Sequence, residues 1–369
     1  MKEGLALEQP QARRSWLRPS VSWLIAFIPV TLGLEHTGAR PPLVFFAAAL
    51  AIVPVAAWIV RSTEQLSEYT GDAVGGLLNA TFGNAPELII AIVALRAGLH
   101  EMVLAALAGA ILANLLLALG LAFFMGGLRY RDQTYRADAT RIYISMMLLA
   151  VTSMAVPSTY REFARDAVTA ARRLNVAVAA VLLALYVLYL VFMLKTHTHV
   201  FAVEGEAGHG RREKRWSAAR AIVTLLAASV LAALMSEVLV GAAEGTGKAL
   251  GMSQVFVGLI FLAIVGGAAE SGSAIAMGRA NRMDLAVSIA IGSCIQIALF
   301  VAPILVLVSY FVGPEPLQLQ FPRRVVVAVF IGAIVGAVVA GDGHSNWFKG
   351  VQLVAMYALF ALLAYFVPT

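Results

Sequence analysis

Long apolar runs alternate with short polar connections along almost the whole chain, and most runs have the length of a bilayer crossing. Eleven can be marked, at roughly 20–36, 41–60, 75–97, 101–125, 141–157, 175–195, 219–240, 254–278, 284–312, 323–340 and 350–367. They lack the two-residue alternation and turn punctuation of about ten-residue barrel strands. In lipid only a helix or a closed barrel satisfies every backbone polar group, so the pattern predicts helices. The expected fold is an all-α polytopic membrane protein of about 11 transmembrane helices, the shorter ones tilted or trimmed.

Composition removes the soluble alternative. With 60% hydrophobic and 13% charged residues over 369 positions, there is more apolar surface than a water-soluble fold can bury. The net charge of +6 invites a nucleic-acid reading, but the basic residues are scattered through short loops, so no nucleic-acid partner is expected. Topology explains them better. With the N-terminus cytoplasmic, inner loops hold 18 of the 27 Lys and Arg, while the loop carrying Arg161, Arg165, Arg172 and Arg173 runs against the bias. Residues 1–20 read as a basic cytoplasmic tail, and the first apolar segment as a retained helix, because further spans follow it directly. Cys294 is the only cysteine, which excludes a disulfide within the chain.

Two carboxylates sit where lipid should exclude them. Glu87 lies within Gly83-Asn84-Ala85-Pro86-Glu87-Leu88, and Glu270 within Gly266-Gly267-Ala268-Ala269-Glu270-Ser271. An ionised side chain at mid-bilayer costs from about 3 to well over 10 kcal/mol, so such residues face a functional interior. A shift of 183 residues places Gly83 on Gly266, Ala85 on Ala268, Glu87 on Glu270, Arg96 on Arg279, Glu101 on Asp284 and Gly109 on Gly292 without a gap. The two glutamates fall in the third and eighth spans. Five crossings separate them, so the two copies run in opposite directions, which is the inverted-repeat plan of secondary transporters.

Both motifs also predict broken helices. Pro86 lacks a backbone donor, and Gly83 and Gly266-Gly267 tolerate unusual torsions, so the helix should pause just before each glutamate. Carbonyls beside a carboxylate make an all-oxygen site, which suits a hard cation such as calcium. A transition-metal site would need His or Cys ligands that neither motif contains. When the ion leaves, two bare carboxylates in a low dielectric cannot both stay ionised and take up protons instead. Competition between a cation and protons for one site is the core of antiport.

With these residues in place, Gly83-Asn84-Ala85-Pro86-Glu87-Leu88 resembles the first signature of the cation/proton exchangers of the calcium/cation antiporter superfamily. The resemblance continues through Lys195-Thr196-His197, Phe256-Val257-Gly258-Leu259-Ile260, Asn281-Arg282-Met283-Asp284-Leu285 and Gly292-Ser293-Cys294-Ile295-Gln296, and covers roughly residues 60 to 310. It implies one extra N-terminal helix (21–40), a first five-helix repeat (41–195), a cytoplasmic linker (196–218) and a second repeat (219–369). It implies calcium exchanged for protons, no cofactor and no enzymatic activity. By the same resemblance Glu87 and Glu270 carry the ion, with Gly83, Asn84, Gly266, Ser293 and Gln296 around it and Glu64 and Glu237 lining the approach. A bacterial inner membrane is the expected location; oligomeric state is left open.

The chain departs from the family pattern. Gly267 replaces an asparagine, Ser271 a histidine, and Ala110 and Ala113 stand where small hydroxyl residues are usual. Sodium coupling, as in the superfamily's other branch, is therefore the main alternative. A channel has no use for two opposed half-sites, and no span holds the catalytic set that an intramembrane hydrolase needs. His197, His199 and His209 share one polar loop and form a weaker candidate for pH sensing.

Overall fold

The computed structural model describes residues 21–163, 168–201 and 215–366, which excludes the expected basic tail and most of the 196–218 linker. The described residues are helical except for a two-stranded ribbon and short connections. In chain order the helices are α1 (Val21–His36), α2 (Pro41–Phe82), α3 (Ala85–Arg96) and α4 (His100–Tyr130). Then come α5 (Ala137–Phe163), α6 (Val168–Val191), α7 (Ala218–Leu250), α8 (Gln254–Gly266) and α9 (Ala268–Arg279). The last three are α10 (Met283–Val308), α11 (Arg323–Ala340) and α12 (Trp347–Phe366). Among the described residues, eight helices are long and apolar enough to cross a membrane, and α8 with α9, bent by 59° at Gly267, makes a ninth span. The chain is an integral membrane protein.

The second and third expected spans are joined. Helix α2 runs through the second and into the third, ending at Phe82, yet a Cβ on Gly75 would lie 2.7 Å from the carbonyl oxygen of Ser67. Eight residues of straight helix advance about 12 Å, so the chain doubles back between these two positions. The apolar segment up to Thr70 is therefore one crossing, and the segment after the reversal leads to Gly83. Hydropathy marked the two segments; it carries no sign of a turn made without leaving helical geometry.

Helices α1, α2 and α7 share core clusters built around Phe45, Ile52, Leu239, Ile59 and Leu225, which also take in Ile90 of α3, Met102 of α4 and Val257, Leu262 and Val265 of α8. A larger cluster unites α3–α6 and α8–α12 around α4, whose most apolar window is 89% buried against 22% for α12. Close backbone contact replaces hydrophobic drive between helices in lipid. A Cβ on Gly109 would fall 2.0 Å from the Leu259 carbonyl oxygen and one on Gly258 2.5 Å from that of Met102, so α4 and α8 cross with only glycine between them.

The described end of the linker is fastened to α2. The Tyr69 hydroxyl donates to the Trp216 carbonyl, the Trp216 N–H to Gln65 (2.7 Å) and the Arg215 guanidinium to the Glu68 carbonyl (2.8 Å). His197 stacks on Phe192 at 4.1 Å with His199 beside it, while His209 lies outside the described residues.

The ribbon pairs β1 (Asp132–Thr134) with β2 (His344–Asn346) in antiparallel register. Lys349 Nζ clamps its entrance, donating to both Asp342 carboxylate oxygens at 2.6 Å and to the His344 carbonyl at 2.8 Å. Burial pushes the Asp342 carboxyl up, but the bonds from Lys349 and the His344 N–H outweigh it and hold the carboxyl below its ordinary range. A depressed carboxyl contributes stability above its ordinary pKa and loses it as pH falls through the folded value. The clamp should thus weaken only in acid, below about pH 4. Amide exchange of the ribbon should accelerate there, and Lys349→Met should reduce that pH dependence to the part left by the His344 N–H.

Candidate functional site

Each glutamate stands at the third position of a helix that restarts after a break. In the first copy α2 ends at Phe82, Gly83 and Asn84 interrupt the helix, and Ala85, Pro86 and Glu87 begin α3. Pro86 suits this position because the first turn has no use for its missing N–H. In the second copy Gly267 is the interruption, and Ala268, Ala269 and Glu270 begin α9. The interrupting residues adopt nearly the same backbone, φ −93° and ψ 17° at Asn84 against φ −81° and ψ 10° at Gly267. A first-turn carboxylate faces the positive end of the helix dipole, which favours negative charge without a resident cation.

The carboxylates cross over. Glu87 packs on the second break: a Cβ on Gly266 would lie 3.0 Å from Glu87 Cγ, and one on Gly267 3.6 Å from its Oε1. Glu270 reaches the first break, with its Oε1 3.6 Å from a Cβ on Gly83. Both Glu87 oxygens and Oε2 of Glu270 are shut off from solvent and have no hydrogen-bond partner within the protein. Such atoms are costly unless something else satisfies them. Beside Glu87 is a cavity of about 20 Å³ walled by Ile90, Ala94, Val103, Leu107 and Ile297. That is room for roughly one water-sized body.

The expected neighbours assemble from α10. The Ser293 hydroxyl hydrogen-bonds the Glu270 carboxylate. Asn84 Nδ2 donates to Gln296 Oε1 across 212 residues of sequence, leaving Asn84 Oδ1 buried without a partner. Just past these residues both α4 and α10 carry a π-helical stretch, Ala113–Ala118 and Ile297–Val301. Shifted by 183, the first falls on 296–301, so the two π-helical stretches stand at nearly matching positions of that offset. Such bulges re-aim side chains and gather at functional sites. The stretch in α4 delivers Asn114, 1% exposed with an unpartnered Nδ2, to the corner beside Gly267 and Glu87. The sequence pattern gives no sign of this placement, because only the π-helical register reveals the direction of Asn114.

The two approach residues do not join this cluster. Glu64 is exposed on α2. Glu237 of α7 pairs at 3.4 Å with Arg96 at the end of α3, with 54% and 63% of the two side chains exposed. Solvent screens a pair so exposed, so Glu237→Gln should shift stability by less than about 1 kcal/mol, as thermal unfolding in detergent can check. A cleft of about 950 Å³ lined by His100, Glu101, Glu315 and Arg323 contains none of the expected site residues.

The sodium/calcium exchanger protein family profile matches residues 41–195 and 220–366. The chain is 39% identical to a Ca2+/H+ antiporter of Synechocystis sp. over 367 residues, covering 94% of this chain and 97% of that one. It is 40% identical to the Ca2+/H+ antiporter ChaA of Bacillus subtilis, covering 87% and 92%. Among solved structures, native YfkE superposes with a TM-score of 0.81 at 34% identity, covering 94% of this chain and all of that one. A structure of the H+/Ca2+ exchanger CAX shares the fold, with a TM-score of 0.67 at 15% identity.

Proposed function

Since the chain belongs to the sodium/calcium exchanger protein family, we propose that it exchanges calcium for protons across a membrane, with Glu87 and Glu270 holding either the cation or protons. The observation that carries this reading is the crossing of the carboxylates: each glutamate leaves its own helix start and ends at the other copy's break, with both Glu87 oxygens and Oε2 of Glu270 buried and unpartnered. A divalent ion between them balances two negative charges, and Asn84 with Ser293 and Gln296 completes an oxygen-lined surround. Without the ion, protons neutralise the pair. If two protons return for each divalent ion, one pH unit supplies about 2.7 kcal/mol, a roughly hundredfold cation gradient. The names of the similar antiporters support calcium and protons as the exchanged ions and support a transporter rather than an enzyme.

Inverted repeats at 41–195 and 219–369 behind an extra helix at 21–40 account for the matched backbone, the matched π-helical stretches and the matched glutamates. Alternating access requires α1, α2 and α7 to shift against α3, α4 and α8, with which they share a core cluster. Bacterial relatives favour a bacterial inner membrane, and the Lys and Arg bias favours a cytoplasmic N-terminus.

Calcium uptake into proteoliposomes under an imposed pH gradient, without sodium, tests the reading. Uptake dissipated by a protonophore supports it. Uptake only when a sodium gradient replaces the pH gradient assigns the chain to sodium coupling instead.

A further inference from the structure

The two half-sites are not alike. In the first, Asn84 occupies the helix break and its amide is bonded to Gln296. The 183-residue shift puts Gly267 at the position of Asn84 and Ala113 at that of Gln296. Because the two breaks have the same backbone conformation, they would project a side chain alike; one carries an amide and the other nothing. A Cβ at 267 would meet the Ala263 carbonyl oxygen at 3.4 Å and Asn114 Oδ1 and Glu87 Oε1 at 3.6 Å each, ordinary contacts with three oxygens, so a side chain could start there without displacing a neighbour. The second half-site therefore has an oxygen-walled corner beside the buried carboxylate, where the first has a fixed amide.

We infer that Gly267 sets which divalent cations this site accepts, by leaving a corner in which the ion keeps water in place of an amide ligand, so that strontium and barium are carried as well as calcium. The inference rests on the divalent-cation site proposed above. Calcium is held by six to eight oxygens at about 2.3–2.6 Å, and discrimination by size depends on how many of those are fixed by the protein. A fixed amide holds one distance. Water shifts outward for a larger ion at little cost, so the 267 corner yields where the Asn84 corner does not. Asn114 and Glu87 supply the polar partners that such a water needs, Asn114 through a buried amide otherwise without a partner for its Nδ2.

The test compares calcium, strontium and barium uptake, singly and in competition, in proteoliposomes under a pH gradient for wild type, Gly267→Ala and Gly267→Asn. Wild type should carry barium within about threefold of calcium, and Gly267→Asn should lower the barium-to-calcium ratio by about tenfold or more. Gly267→Ala adds only a methyl at van der Waals distance, so it keeps the fold if the asparagine does not, and it too should lower the ratio by filling the corner. An unchanged ratio in a folded, active variant overturns the inference, as does a wild type that already rejects barium while carrying calcium. A wild type that carries no divalent cation at all overturns the site reading itself, and is thereby distinguished from failure of the selectivity argument.

Discussion

Glu87→Gln and Glu270→Gln should each abolish proton-driven calcium uptake while leaving a folded protein. Glutamine preserves the shape of the side chain and both hydrogen-bonding positions, so the α3 and α9 starts and the contacts of residue 87 with Gly266 remain. What is lost is one of two charges facing a divalent ion. Removing one partner of a buried charge pair costs about 3–5 kcal/mol, which lowers cation affinity by roughly a hundredfold or more. The unloaded protein responds differently, because Glu87 places two buried and unpartnered oxygens in its interior and an amide there stays neutral without having to take up a proton. Thermal stability without calcium should therefore hold or rise in both variants, while the stabilisation on adding calcium disappears. That pairing of results separates a lost ligand from a damaged fold. A variant that keeps wild-type uptake would show that its glutamate lies outside the transported ion's path.

Gly109→Val should be among the most disruptive substitutions in the membrane interior, and Gly292→Val, at the matching repeat position, among the mildest. Any side chain at 109 meets the Leu259 backbone at 2.0 Å, and the neighbouring approach of Gly258 to Met102 prevents a local adjustment from relieving it. Helices α4 and α8 would have to separate, at a cost of at least about 3 kcal/mol, the upper part of the range for overpacking. Because α8 ends at Gly266, the displacement would also carry the second break away from Glu87. At Gly292 nothing lies within 4 Å of the added carbon, so the change should stay below about 1 kcal/mol. Thermal unfolding in detergent distinguishes the two. Comparable losses at both positions would mean that helix propensity, not the close crossing, governs these glycines.

These two glycines also show what the sequence could reveal. The 183-residue shift pairs them as equals, and only the packing shows that one is wedged against a neighbouring backbone and the other is free. The crossings themselves were legible from apolar length, the breaks from Gly83, Pro86 and Gly267, and the meeting of Glu87 and Glu270 from two carboxylates that lipid would otherwise reject. The reversal between Ser67 and Gly75 was not, because apolar length marks spans and says nothing of how helical residues turn between them. Nor was the Arg96–Glu237 pair, since a charge near a span end reads the same whether it lines a path or meets a partner. Asn114 stayed obscure for a different reason. Its aim depends on the π-helical stretch at Ala113–Ala118, which rotates side chains off the ordinary 3.6-residue period on which sequence patterns rest. The contacts that define the site, Asn84 with Gln296 and Glu87 with Gly266, join halves of the chain whose meeting the repeat implied but whose atoms it could not pair.

The central claim is that one carboxylate pair holds either a divalent cation or protons. The most direct measurement is the number of protons released per calcium bound, read by a pH indicator in weakly buffered detergent solution, for wild type and for the double variant Glu87→Gln with Glu270→Gln. Wild type should release between about one and two protons per calcium near neutral pH, and the double variant none. Calcium binding by the wild type with no proton release would contradict the account.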